Sequence, residues 1–280
     1  MINKYKWWEY GLIYLGMFTF LAFLLAPFVE AFVVSLRPLD KVFSIPYQFI
    51  TDDMGFDAYV NMWKNVPLLG RYIFNSLLIA TAVMVLGLIV VIPAAYAFAR
   101  FSFYGSTALL GTFLAVNMVS GAVLIIPLYR VMLKMGLLNT YFAMIAPGVA
   151  FVIPTGIWLL RSYLVKIPRE LEEAARVDGA SRLYTLWRVI LPISMPGIAV
   201  VAITTFITAY AQQFLFALTF NSRNELNPLP VGLYQFFGRE EVVWNELMAA
   251  SIVGILPVLV VYVLLQRYII SGLTAGAVKE

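Results

Sequence analysis

The 280 residues are 62% hydrophobic and only 12% charged, against about 25% charged in a soluble domain, which excludes an ordinary water-soluble globule. Nineteen Lys and Arg against 15 Asp and Glu leave a net charge of +4, and there is neither Cys nor His, which excludes a disulfide scaffold, a thiol nucleophile, a thiolate metal site and any imidazole base or ligand. A helical crossing takes about 20 apolar residues, so the bilayer is the main solvent of this chain.

Residues 1–9 carry Lys4 and Lys6 ahead of an apolar run. The run is longer than a signal-peptide core and lacks a small-residue cleavage site, so it reads as a retained first span. Six apolar stretches are predicted to cross, at about residues 10–36, 72–99, 106–129, 141–160, 196–220 and 247–266. The last five hold no Asp, Glu, Lys or Arg, and the first holds only Glu30. Continuous rather than alternating runs predict helices and not a barrel, hence an all-α membrane protein of six transmembrane helices. The expected organisation is a short N-terminus over 1–9, a membrane domain over 10–266 that includes the connection 161–195, and a tail over 267–280. With both termini cytosolic, 11 Lys and Arg fall inside and eight outside, the bias expected of a multi-pass protein of the plasma (inner) membrane.

Glu30 is about six residues, roughly 9 Å of helix, from the outer end of its span, and reads as an anchor or helix-pairing group rather than an ion-coupling site. No phosphate-cradling GxxxxGK[ST] loop occurs, so the chain is not expected to be an enzyme that hydrolyses a nucleotide itself. Active transport would need a motor on another chain.

The connection between the fourth and fifth spans, KIPRELEEAARVDGASRLYTLWRVILPISMP, is too polar to cross and too regular for a loose loop. Pro168 suits a first helical turn, and Glu170, Glu172 and Glu173 follow where a helix N-terminus favours negative charge. Gly179 supplies a left-handed stop, and Ser181 caps a second helix whose Leu183, Leu186, Trp187 and Ile190 share one face. The small residues Ala174, Ala175, Gly179 and Ala180 permit close approach by a grooved partner. The same segment also fits an interfacial helix whose Arg169, Arg176, Arg182 and Arg188 touch lipid phosphate.

EAARVDGASRLYTLWRVILP closely resembles the EAA loop of permease subunits in binding-protein-dependent ABC importers, with Glu173, Ala174, Ala175, Asp178, Gly179, Leu191 and Pro192 in place and Val189 where isoleucine is usual. AAYAFARFSFYG, IPLYRVMLKMGLLNT, PTGIWLLRSYL, PLPVGLYQFF and GLTAGAVKE extend the match over nearly the whole chain. Together they look like the smaller permease subunit of maltose-type carbohydrate importers. The resemblance implies the type I ABC importer permease fold, with a cytosolic helix-turn-helix coupling loop at Glu173, Ala174, Ala175, Arg176, Asp178, Gly179 and Ala180 that docks on the ATPase. It implies that the tail at Gly272, Leu273, Thr274, Ala275 and Gly276 reaches between two ATPase subunits. It also implies that the outer loop, with Asn227, Pro228, Pro230 and Gly232, meets the extracytoplasmic solute-binding protein, although these residues are equally ordinary turn formers. The partners implied are a second, different permease, two ATPase subunits carrying ATP and Mg, the binding protein and the bilayer, with no nucleic acid, and no cofactor in this chain. Departures are Ala211, Gln212 and Gln213 where relatives show a Trp-Asn-acid triplet, no proline near Ser120, and Glu280 where glycine is common.

Asn117, Ser120, Tyr210, Gln212 and Gln213 are polar groups inside apolar spans that need hydrogen-bond partners, and either line a path for hydroxylated substrate or pack helices together. Trp7, Trp8 and Trp63 fall near membrane edges, where an aromatic belt explains them. The leading expectation is an ATP-driven carbohydrate importer subunit working by alternating access. The alternatives are an autonomous carrier or channel, and a scaffold that recruits an ATPase without moving solute.

Overall fold

A computed structural model describes residues 6–238 and 241–277, with side chains through Tyr268. Among the described residues the regular structure is helical apart from one isolated bridge between Phe237 and Val242. The α-helices are α1 (Trp7–Leu36), α2 (Asp57–Asn65), α3 (Leu69–Arg100), α4 (Ser106–Val116), α5 (Gly121–Lys134), α6 (Tyr141–Leu164) and α7 (Glu170–Val177). They continue with α8 (Arg182–Thr185), α9 (Leu191–Ile193), α10 (Met195–Ala211), α11 (Gln213–Phe220), α12 (Leu229–Gly232) and α13 (Trp244–Ala277). Among the described residues four helices are long and apolar enough to cross a membrane singly, and two bent pairs raise the number to as many as six. The fold is therefore all-α and multi-pass, as composition requires.

Two of the expected spans are interrupted. The run 106–129 is two helices, α4 and α5, that meet at 94°. Asn117 ends α4, and the Ser120 hydroxyl caps α5 by accepting the Ala122 N–H at 3.3 Å. A cap inside an apolar run starts a new helix axis there. The run 196–220 changes helix at Gln212, whose φ of −94° and ψ of 11° leave the α-helical region between α10 and α11. α10 in turn is reached through an 80° bend after Ile193.

The chain divides into two compact units, residues 1–69 with 233–254 and residues 70–232 with 255–280. In the first, the most apolar stretch of α1 has no residue buried within the chain, so its Leu and Phe side chains face lipid or another protein. Near the end of that helix Glu30 accepts a hydrogen bond from the Tyr47 hydroxyl at 2.5 Å. That bond, more than burial, holds the Tyr47 hydroxyl above the usual phenolic pKa, so the phenol stays protonated as donor and Glu30 is engaged as its acceptor. Buried Arg37 lies 4.5 Å from the Tyr47 ring centroid and donates to the Gln48 carbonyl. Glu246 accepts both of its bonds from the Asn65 amide at 2.8 and 2.9 Å.

In the second unit α3 and α6 cross closely because one of each touching pair of residues is glycine. A Cβ on Gly148 would sit 2.8 Å from Val83, and one on Gly156 2.8 Å from Val91. Small-residue contacts of this kind let membrane helices gain dispersion energy without a hydrophobic driving force. The core continues through Ala95, Tyr96 and Ala99 of α3, Ile157, Leu160 and Leu164 of α6, and Leu186, Ile190, Ile198 and Val201. The proline-interrupted helices α3 and α6 (Pro93, Pro147, Pro154) depend on such neighbours to satisfy the freed carbonyls.

Candidate functional site

The α6–α10 connection folds into two short helices at a glycine elbow. α7 begins with Glu170, Glu172 and Glu173 in its first turn, and the Ala180 N–H returns to the Ala175 carbonyl at 2.9 Å. Gly179 has φ +84° with nothing within 4 Å of a Cβ built there. Left-handed backbone of this kind falls to glycine. Ser181 then caps α8, its hydroxyl accepting the Tyr184 N–H at 3.3 Å. Glu173, Ala174, Arg176, Asp178 and Gly179 are exposed, and Ala175 and Ala180 are half-buried. Val177 is 87% exposed, so the tip presents short side chains and one isopropyl group.

The second helix departs from the single apolar face expected of it. Leu186 and Ile190 are buried, while Leu183 and Trp187 are 71% and 57% exposed. A π-helical turn over Leu186–Ile190 puts more residues into each turn, so the spacing of three and four no longer keeps all four on one side. The chain also runs on past Pro192, through α9, to the bend after Ile193.

What fixes the elbow to the membrane body is Glu172. Its Oε2 accepts from the Tyr96 hydroxyl at 2.8 Å, and its Oε1 pairs with Arg100 Nε. Arg100 also donates to the Ile167 carbonyl at 3.1 Å. In the sequence Glu172 reads only as helix N-terminal charge; Arg100, at the end of the AAYAFAR stretch, carries no local signal that names Glu172 as its partner. A small cleft beside this pair is rimmed by Arg169, Arg176, Arg182 and Glu173, and Arg182 lies 5.1 Å from the Phe101 ring centroid.

A second feature is a cavity of about 560 Å³ where the broken helices meet α6. Asn117, Ser120 and Gln212 line it, together with Thr155, Thr204, Thr205 and Thr208, and Phe151, Phe214 and Phe216 supply aromatic surface. Tyr210 and Gln213 do not line it. Tyr210 is buried and stacks on Phe206 at 6.1 Å, and Gln213, 5% exposed, bonds to Ser76 at both ends of its amide. The threonines carry a periodic signal in the sequence, since Thr204, Thr208 and Gln212 repeat every four residues on one helix face.

The loop after α11 is held from beneath. Asn227, Pro228 and Gly232 are buried and Pro230 is half-buried. A Cβ on Gly232 would come within 2.2 Å of the Tyr72 ring. Exposed residues in the same loop are Ser222, Arg223, Asn224 and Glu225. Gly272, Leu273, Thr274, Ala275 and Gly276 belong to the last turns of α13, beyond the residues whose side chains are described; Val278–Glu280, like Met1–Tyr5 and Arg239–Glu240, lie outside the described residues. Among the described residues no group of three or more His, Cys, Asp or Glu is placed to hold a metal ion.

Residues 3–274 match the family described as "Binding-protein-dependent transport system inner membrane component". The chain is 34% identical over 268 residues to the inner membrane ABC transporter permease protein YcjP of Escherichia coli, with 95% of each chain covered. It is also 34% identical over 270 residues to the trehalose/maltose transport system permease protein MalG of Thermococcus litoralis, with 96% of each covered. The fold matches a chain in the crystal structure of a bacterial ABC transporter involved in the import of the acidic polysaccharide alginate, with TM-score 0.75 at 24% identity over 94% of this chain and 98% of that one. The chain belongs to the family of binding-protein-dependent transport system inner membrane components and is a permease subunit of an ATP-driven ABC importer.

Proposed function

We propose that the cargo is a carbohydrate, and that the glycine elbow is where a separate ATPase dimer moves this subunit between inward-open and outward-open states. In this reading both termini are cytosolic, a second permease completes the pathway, ATP and Mg sit on the ATPases, and a binding protein delivers solute from outside. The cargo class rests on the relative named for trehalose/maltose transport, and on a cavity whose hydroxyl, amide and aromatic lining suits a polyhydroxylated ring. The observation that carries the mechanism is the joining of an exposed, short-side-chained elbow to the end of α3 through Glu172 and Arg100. A push on the elbow then reaches a membrane helix through a largely buried ionic contact instead of a slack loop.

The reading assigns Glu173, Ala174, Ala175, Arg176, Asp178, Gly179 and Ala180 to ATPase contact, and the tail from Gly272 to Gly276 to the same partner. Contact with the binding protein falls to the exposed rim at Ser222–Glu225, while Asn227, Pro228, Pro230 and Gly232 hold the loop's shape. Asn117, Ser120 and Gln212, with the threonines, face the solute. Glu173→Lys or Gly179→Pro in the assembled complex should abolish uptake and loosen the ATPase while the protein stays in the membrane. Normal uptake by either variant contradicts the assignment.

A further inference from the structure

Two neighbouring side chains of α3, Asn75 and Ser76, are both 0% exposed, and between them they grip the main chain of the loop after α11. The Asn75 amide donates to the carbonyls of Glu225 and Asn227, each at 2.9 Å, and its oxygen accepts from the Tyr141 hydroxyl at 2.8 Å. The Ser76 hydroxyl accepts the Leu229 N–H at 2.9 Å and donates to the Gln213 side-chain oxygen at 2.8 Å. The Gln213 amide returns a hydrogen bond to the Ser76 carbonyl at 3.0 Å. One hydroxyl thus uses its donor on the first residue of α11 and its acceptor on the loop.

Gln213 directly follows Gln212, the residue at which the fifth span changes helix and which borders the large cavity. A displacement of the loop at Leu229 therefore reaches the cavity through two hydrogen bonds and one peptide unit. Both bonds are buried, where breaking one leaves a polar group unsatisfied and is correspondingly unfavourable. The loop and the helix break are consequently tied to move together.

We propose that Ser76 and Gln213 are positioning residues that link the loop after α11 to the cavity-lining amide of Gln212, so that a partner seated on the loop sets the geometry of the solute site. This rests on the importer reading, in which that loop meets the binding protein. Loop contact is read through main-chain groups at 225, 227 and 229, so the link is indifferent to most side-chain changes on the exposed rim and sensitive to changes at Ser76 and Gln213.

The test uses the complete complex in proteoliposomes, with its partner permease, ATPases and binding protein, and compares ATPase rates with and without binding protein. Ser76→Ala and Gln213→Met should each lower the stimulated rate and uptake by about tenfold, within the range of measured coupling between distant sites. The unstimulated rate and the half-saturating concentration of binding protein should stay within about twofold of the unaltered complex. The double variant should be no worse than either single one, because both remove the same link. Ser76→Cys, similar in size with a weak S–H donor, should fall between Ser76→Ala and the unaltered chain, and gives a mild variant should the others assemble poorly. Stimulation at the unaltered level, additive losses, or equal loss of the stimulated and unstimulated rates would overturn the proposal. No stimulation in the unaltered complex would overturn the importer reading itself.

Discussion

The Glu172 carboxylate pairs with the Arg100 guanidinium at the root of the elbow, with side chains only 13% and 5% exposed. Breaking a buried pair by removing one member typically destabilises by about 3–5 kcal/mol, because the other charge is left without compensation. Glu172→Leu should accordingly lower the thermal midpoint of the purified chain and cut uptake. Glu172→Leu combined with Arg100→Leu should recover much of the stability without recovering uptake. Thermal unfolding in detergent measured beside transport separates the two effects; full recovery of uptake in the double variant would show that the contact is not the mechanical link.

Gly179 has φ +84° and open space around it, so replacement is disfavoured by the backbone and not by crowding. A non-glycine residue in left-handed backbone is disfavoured by about 1–2 kcal/mol. Gly179→Ala should lower the stability of the isolated chain by no more than that, yet weaken ATPase binding further if the partner packs against the bare backbone. Co-purification of the ATPase, compared with the melting of the isolated chain, reads the difference.

Thr208 and Gln212 border the cavity together. Losing one hydrogen bond to a solute is worth about 0.5–1.5 kcal/mol. Thr208→Val and Gln212→Leu should each raise the concentration of solute-loaded binding protein needed for half-maximal uptake, or lower the maximal rate, by about twofold to tenfold. Stimulation of the ATPase by the binding protein should persist. Uptake kinetics at varied solute settle the point, and unchanged values in both variants would remove the cavity from the pathway.

Gly232 leaves no space for a methyl group against Tyr72. Gly232→Ala should destabilise by about 1–3 kcal/mol through overpacking, and Tyr72→Ala in the same chain should relieve the clash. Differential scanning of the three variants tests this. An unperturbed single variant would mean that the loop packs more loosely against α3.

The elbow was the most legible part of the sequence, since glutamates after Pro168, a stop at Gly179 and a cap at Ser181 are local signals whose structural meaning does not depend on the rest of the chain. The π turn after Thr185 was not legible, because a widened turn is imposed by packing of Leu186 and Ile190 into the core. The break at Asn117–Ser120 carried a signal that hydrophobic averaging hid: Ser120 followed by Gly121 is a helix start in an otherwise apolar run. Tyr210 and Gln213 show the limit most plainly. Polarity within a span announces that a partner exists, and only the fold tells whether that partner is Ser76 or a solute.

Proteoliposomes holding this chain with its partner permease test the central claim most directly, when solute uptake is measured with the ATPases present and then omitted. Uptake should appear only with the ATPases, ATP and binding protein together, and should vanish with Gly179→Pro. Solute entering at the same rate without the ATPases would contradict the account.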